Sequence, residues 1–433
     1  MSKKTYLLDT NVYMTSVEAI YSFGEHNIAI PTIVLDEIDK HKHRQDLAGA
    51  NARRLNRLLD DLRSVGSLNT GVNLKDGCGE VKVVEHHPDC IPVGLKADNS
   101  DNKIVASALT LLDQGHDLVV VSRDINLRVK CDAYGIACED YELEKVVESA
   151  DEMYGGIEKR TVPNALIDSV YMGGGEVDDD TLFPNQYLIL SGLEDAKKSA
   201  LVRYNEQTKS LMRLTKRSGN NWGFTPRNKE QEFALDALYD SGIDVVSLVG
   251  RAGTGKTLLA IAAGLDQVTN PSKKTTYRKL IVTKPIEPVG KDIGFLPGTM
   301  EEKLLPWLAP IKDNLESLIG DKTAMEMYME QGIIEIEAMT FIRGRSISNA
   351  YIIVDEAQNM TAHEIKTILT RVGEGTKIIL TGDVQQIDNS YVDAESNGLT
   401  YVVEKFKPYD ITAHITLTKG ERSRLATLSA DIL

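Results

Sequence analysis

The stretch GRAGTGKT, Gly250 to Thr257, constrains this chain more than any other. An apolar run, VVSLV, leads into it and an apolar helical pattern, TLLAIAAGL, leads out. Every position of G-x-x-x-x-G-K-[ST] is filled, in the strand-to-helix setting that the pattern needs. The glycines Gly250, Gly253 and Gly255 let the backbone around Arg251, Ala252 and Thr254 turn its N–H groups toward phosphate oxygens. Lys256 adds a cation near the β and γ groups, and the Thr257 hydroxyl is placed to ligate Mg²⁺. The spacing therefore predicts a seat for a nucleoside triphosphate between a buried strand and a helix N-terminus.

Downstream, DVVSLVG, KLIVTK, AYIIVDE, TKIILTGD and HITLT are continuous apolar runs, the pattern of strands buried on both faces of a parallel sheet. Ligands gather at the carboxyl ends of such strands. Asp355 and Glu356 end one of them. One carboxylate can hold the Mg²⁺ shell while the next orients or deprotonates a water. A small-molecule kinase needs an acceptor site instead, so the second acid favours hydrolysis. Gln386, in TKIILTGDVQQID, is placed to contact the γ-phosphate, although taken alone it is equally a turn residue.

The second half, from about residue 225 to the C-terminus, resembles the PhoH family of P-loop ATPases, itself similar to the core of superfamily-one RNA helicases. GRAGTGKT, VTKPIEPVGKDIGFLPG, FIRGRSISNAYIIVDEAQNMT, LTRVGEGTKIILTGDVQQID and KGERS carry the resemblance. It implies a RecA-like domain in which Lys256 and Thr257 bind phosphate and Mg²⁺. Asp355 would hold the metal, with Glu356 as base and Gln386 as γ-phosphate sensor. Gln231, in RNKEQEFAL, would lie near adenine. Arg422, in KGERS, is the candidate arginine finger supplied by a neighbouring subunit, with Arg343 and Arg345 as alternatives or as RNA phosphate contacts.

The first half carries a different constellation. TYLLD, NIAIP and DLVVVS read as strands, and helical patterns run between them. Asp9 ends the first strand, Glu37 follows the second, Asp98 and Asp101 precede the helix NKIVASAL, and Asp124 follows LVVVS. In a parallel sheet those ends cluster on one edge, where carboxylates repel unless a cation lies between them. Hard oxygen donors favour Mg²⁺ or Mn²⁺, which can activate water for phosphodiester hydrolysis. Each acid alone is equally a helix cap. The motifs LLDTNV, VLDEIDKHK, DNKIVASAL and VVSRDINLRVKCDAYGI resemble those of PIN-domain ribonucleases over roughly residues 4 to 145. That resemblance implies metal-binding acids at Asp9, Glu37, Asp101 and Asp124, a possible fifth at Asp98, and small polar neighbours at Asn11 and Ser122.

Length and composition frame the two sites. A chain of 433 residues exceeds one ordinary core. The expected plan is an α/β PIN-like sandwich over 1–150, a small β-rich linker module over 151–224, and a RecA-like P-loop domain over 225–433. No apolar run is long enough to span a bilayer, and MSKKTYLLDTN does not read as a signal peptide, so a cytoplasmic protein is expected. A net charge of −15 argues against coating nucleic acid through bulk charge but permits a local basic channel, such as KHKHR with Arg53, Arg54, Arg57 and Arg63. Cys78, His86, His87 and Cys90 match no common zinc spacing.

The expectation is an ATP-driven RNA motor joined to a metal-dependent endoribonuclease, acting on single-stranded or tailed RNA. The family resemblance implies a homo-oligomeric ring, a hexamer. The rival from a different class is a nucleotide-gated RNA- or partner-binding ATPase whose PIN fold serves as a docking module.

Overall fold

The computed structural model describes residues 3–44, 47–74, 77–92, 95–96, 98–141, 146–147, 149–214, 222, 225–269, 277–285, 300–339, 346–389 and 392–420. The chain divides into two compact units, Met1–Lys145 and Val146–Leu433.

The first unit is built on six strands: β1 (Thr5–Leu8), β2 (Asn27–Pro31), β3 (Val72–Asn73), β4 (Glu80–Val84), β5 (Leu118–Val121) and β6 (Cys138–Glu139). Their order is β3-β4-β2-β1-β5-β6, parallel throughout except for the short β3. β1 and β5 are short, apolar and almost wholly buried, as strands covered on both faces must be. The chain runs from β1 outward through β2 and β4, then returns to place β5 on the other side of β1. The crevice at the carboxyl ends of β1 and β5 is thus the switch point where an open α/β sheet accepts ligands. Asp9 follows β1 directly, and Ser122 to Asp124 follow β5.

The second unit holds two sheets. β7 (Ile157–Val162), β8 (Tyr187–Gly192), β9 (Ser199–Asn205) and β10 (Ser210–Arg213) lie in the order β10-β9-β8-β7. β7 and β8 are parallel, joined across helix Asn164–Tyr171, and the remaining pairs are antiparallel. Strand alternation gives this sheet two apolar faces. Leu188, Leu190, Val202 and Tyr204 pack with Ile167 and Val170 of the helix. Tyr187 points the other way, into the same core as Phe233, Leu248 and Ile415. Its hydroxyl donates to Asp236 (3.0 Å), and Arg203 pairs with Asp236 (3.2 Å) and Asp240 (2.6 Å).

The larger sheet comprises β11 (Val245–Gly250), β12 (Lys279–Lys284), β13 (Ile334–Ala338), β14 (Ala350–Val354), β15 (Lys377–Gly382) and β16 (Thr412–Leu417). All pairs are parallel, in the order β13-β12-β14-β15-β11-β16. β15 is inserted between the phosphate-loop strand β11 and the acid-bearing β14, the RecA-like arrangement. Helix Lys256–Thr269 is apolar on nearly every side and packs tightly on this sheet. Gly264 is required there, because a Cβ would stand 2.8 Å from the Tyr351 ring and 2.9 Å from Leu280.

Candidate functional sites

The phosphate loop is shaped by its glycines. Gly253 (φ +85°) and Gly255 (φ +91°) occupy the left-handed region that side chains rarely adopt. Gly250 pairs with Leu417 across the sheet, and a Cβ there would come within 2.2 Å of the Leu417 carbonyl. The Lys256 amine folds back on the loop and donates to the carbonyls of Gly250 (2.5 Å) and Arg251 (3.1 Å). Gln231 caps the inner side of the loop. It is buried, its Nε2 donates to the Thr254 carbonyl (3.2 Å), and its Oε1 accepts from the Arg227 backbone (2.9 Å).

Three oxygens converge beside the loop. Asp355 Oδ1 accepts from the Thr257 hydroxyl (2.7 Å) and from the Thr381 hydroxyl (2.5 Å). Two hydroxyls and a carboxylate at the ends of three elements are the hard donor set that suits Mg²⁺ with its retained waters. Glu356 is the next residue, in left-handed backbone (φ 55°, ψ 39°), an unusual state for a side chain of this size. Gln386 is exposed on the loop after β15. In the same loop, Asp383 is buried and accepts from the Ala252 backbone N–H (2.9 Å), closing β15 onto the phosphate loop. Gln358, 1% exposed, donates to the Glu356 carboxylate (2.7 Å) and the Gln386 carbonyl (2.8 Å), and accepts from the Asp383 N–H (3.0 Å).

In the first unit, Asp9 is 4% exposed. Its carboxylate caps the following helix through the Thr10 N–H (2.6 Å) and accepts from Ser122 Oγ (2.7 Å), with Asn11 Nδ2 at 3.4 Å. Burial pushes Asp9 up to about 6. The bonds from Ser122 and Thr10 oppose that rise, and the charges of Glu37 and Asp101 add to it. The Thr10 hydroxyl donates to Glu37, which stands on helix Thr32–His41. Ser122 also accepts from the Asp124 N–H (3.0 Å), so one buried hydroxyl joins the two strand ends. Asp124 caps helix Ile125–Ala133 through the Asn126 N–H (2.8 Å). Asp101 lies in the first turn of helix Ser100–Asp113 and pairs with Lys130 (2.8 Å).

Sequence profiles of known families divide the chain in the same way. The PIN domain profile matches residues 6–142, and the profile described as PhoH-like protein matches residues 224–432. Protein PhoH2 of Bacillus subtilis (strain 168) is 43% identical over 446 residues, covering 99% of this chain and 100% of that protein. Protein PhoH2 of Mycolicibacterium smegmatis is 35% identical over 438 residues, covering 99% of this chain and 97% of the relative. This chain belongs to the PIN–PhoH fusion family. A PhoH-like protein of Bacillus subtilis (strain 168), 43% identical over 179 residues, aligns with 41% of the chain and 54% of its own length.

Within this PIN–PhoH chain, Gln231 bonds the phosphate loop at Thr254, and Thr257 at its end bonds Asp355. Glu356 and Gln386 are joined to each other through Gln358. Arg422, Arg343 and Arg345 lie outside the described residues. In the PIN half, Asp9, Glu37 and Asp101 interact electrostatically, Asp124 reaches Asp9 through Ser122, and Asp98 is exposed. Asp9, Glu37, Asp101 and Asp124, with Asp98 as a possible fifth, were expected to share a metal ion. Among the described residues, no three His, Cys, Asp or Glu side chains are grouped to hold one ion. Asp101 pairs with Lys130, and Glu37 accepts from the Thr10 hydroxyl. Among the described residues no helix is long and apolar enough to cross a membrane. Sequence reasoning missed Thr381, Asp383, Gln358 and Thr10. All four sit inside motifs that were recognised, but only chain folding reveals their partners.

Proposed function

We propose that the protein is an ATP-driven RNA motor coupled to a metal-dependent endoribonuclease, working as a homo-oligomeric ring on single-stranded or tailed RNA. The observation that carries the reading is Asp9. Its carboxylate is buried at the end of β1 and bonded by Thr10 and Ser122, and it lies in the same chain as a complete phosphate loop whose Thr257 hydroxyl meets Asp355.

In the ATPase half, Lys256 and the loop N–H groups would bind the β- and γ-phosphates, and Thr257 with Asp355 would hold Mg²⁺, which would neutralise charge on the transferring group. Glu356 orients the attacking water and takes its proton. Gln386 reads the γ-phosphate, Gln231 supports the adenine side of the loop, and Arg422 reaches a neighbouring active site. In the PIN half, Asp9, Glu37, Asp101 and Asp124, with Asp98 at the rim, would hold Mg²⁺ or Mn²⁺, which would supply Lewis-acid activation of water for phosphodiester cleavage. Ser122 and Thr10 keep Asp9 and Glu37 in fixed rotamers.

The Lys130–Asp101 pair favours a second reading. A neutralised acid suits a nucleotide-gated RNA- or partner-binding ATPase in which the PIN fold docks rather than cuts. Cleavage of labelled RNA separates the two. The motor-nuclease should cut an unstructured RNA in Mg²⁺ or Mn²⁺ without nucleotide, and a tailed duplex only with hydrolysable ATP. Equal cutting of both RNAs without ATP would sink the coupling, and no metal-dependent cutting of either would leave the gated binder.

A further inference from the structure

We propose that Gln358 is a positioning residue for ATP hydrolysis: it sets the direction of the Glu356 carboxylate from the backbone of the loop that carries Gln386. The inference rests on the assignment of Glu356 as the hydrolytic base.

Glu356 needs an external brace. It lies in left-handed backbone (φ 55°, ψ 39°), a state that a side chain of this size holds only where its surroundings support it. Gln358 supplies the brace, with Nε2 2.7 Å from Glu356 Oε2. That nitrogen also donates to the Gln386 carbonyl at 2.8 Å, which uses both of its hydrogens. Its Oε1 accepts the Asp383 N–H at 3.0 Å. The amide therefore has one orientation compatible with all three partners, since a flipped amide would face an N–H with an NH₂ and two acceptors with an oxygen.

The surroundings hold that orientation. Gln358 is 1% exposed, so water does not replace a lost partner. A Cβ on Gly382 would lie 2.4 Å from Gln358 Oε1, so the glycine before Asp383 makes room for this amide. Asp383 continues the chain of contacts, because its carboxylate accepts the Ala252 N–H of the phosphate loop at 2.9 Å. The loop that closes on the phosphate site and the carboxylate that addresses the water are thus tied to one buried amide. ATP binding itself is left to Lys256, Thr257 and the loop N–H groups, none of which touches Gln358 in the described contacts.

The test uses the full-length protein and two variants. Gln358→Glu keeps the shape and an acceptor for Asp383 but opposes Glu356 with a like charge. Gln358→Met keeps the volume and removes every bond. Both should lower kcat for ATP about 10- to 100-fold, less than the roughly 10²- to 10⁴-fold that a placed base supplies, because the base itself remains. KM for ATP and the affinity for a fluorescent ADP should stay within about twofold of wild type, which also reports that the variants are folded. In a Glu356→Gln background the same substitutions should cost no more than about twofold, because the group they orient is gone. Unchanged kcat in both variants, KM rising in step with the fall in kcat, or undiminished losses in the Glu356→Gln background would each overturn the proposal. Wild-type turnover by Glu356→Gln alone would remove the base assignment instead, which the Gln358 single variants do not measure.

Discussion

Single side chains decide whether each site works, and two substitutions read them separately. Lys256→Ala removes the cation that follows the transferring phosphoryl group, a contribution commonly worth about 10²-fold or more in rate. ATPase should fall at least that far while the unfolding transition is retained, and turnover near wild type would remove the basis for the motor. Asp9 makes the opposite exchange between function and stability. Burial first, then Glu37 and Asp101, lift it to about 6, above its ordinary value of 3.8, so the folded unit holds the proton more tightly than the unfolded chain. The resulting stabilisation is full below about pH 4 and is lost as pH rises through about 6, a change of at most about 3 kcal/mol. In chelator, the melting temperature of wild type should therefore drop over that window. The Asp9→Asn variant should lack the dependence and melt higher at pH 7, while losing RNA cleavage. Mn²⁺ should then raise the melting temperature of wild type more than that of the variant. Equal responses would argue that Asp9 is a helix cap and nothing more.

At the scale of elements, the sequence was most readable where burial is most complete. Strands β11, β12, β14 and β15 are short runs rich in Val, Ile and Leu covered on both faces, and their β-branched content and polar ends set them apart from the apolar helix Lys256–Thr269. β7 and β13 are different. IEKRTV carries three charged residues in a row and IEIEA alternates apolar and charged ones, as edge strands of their sheets can, and neither stands out from a loop or a helix face. The β-rich segment was recognised, but its union with the ATPase core was not, because the residues that join them are far apart in the chain: Tyr187 and Arg203 with Asp236 and Asp240. Lys377 is a sharper case. A lysine opening a buried strand reads as a flaw in the pattern, yet its amine donates to the carbonyls of Ala237 (2.8 Å), Asp240 (2.7 Å) and Ile243 (2.6 Å) where helix Lys229–Tyr239 ends. Three carbonyls match the three hydrogens of an ammonium, which favours the charge, while burial pulls the amine down to about 7. Lys377→Met should keep the packing but strand those carbonyls, costing about 3–5 kcal/mol. A loss under about 1 kcal/mol in denaturant titration would mean that water or backbone shifts replace the amine.

At the scale of the whole molecule, the open question is whether one chain completes its own ATPase site. Arg422 follows β16, whose last residues border the phosphate loop through the Gly250–Leu417 pairing. Thr418 and Lys419 are anchored by Glu230, which accepts both backbone N–H groups (2.8 and 3.2 Å) and the Thr418 hydroxyl (2.6 Å). The segment that carries Arg422 thus starts from a fixed point beside Gln231. If Arg422 acts on a neighbour, Arg422→Ala should bind nucleotide normally yet turn over about 10³-fold or more slowly, since a finger stabilises the transition state rather than bound ATP. Mixing then gives a quantitative signature. In a ring of randomly exchanged Lys256→Ala and Arg422→Ala subunits, about a quarter of the interfaces join an intact loop to an intact finger, so activity should return to roughly a quarter of wild type if sites fire independently. Less recovery would mean that sites must fire in concert around the ring, a difference that varying the mixing ratio resolves. A complete absence of recovery at every ratio, with exchange verified by labelled subunits, would place the finger within the same chain or assign it to Arg343 or Arg345. Each of those arginines can be tested in the same mixture.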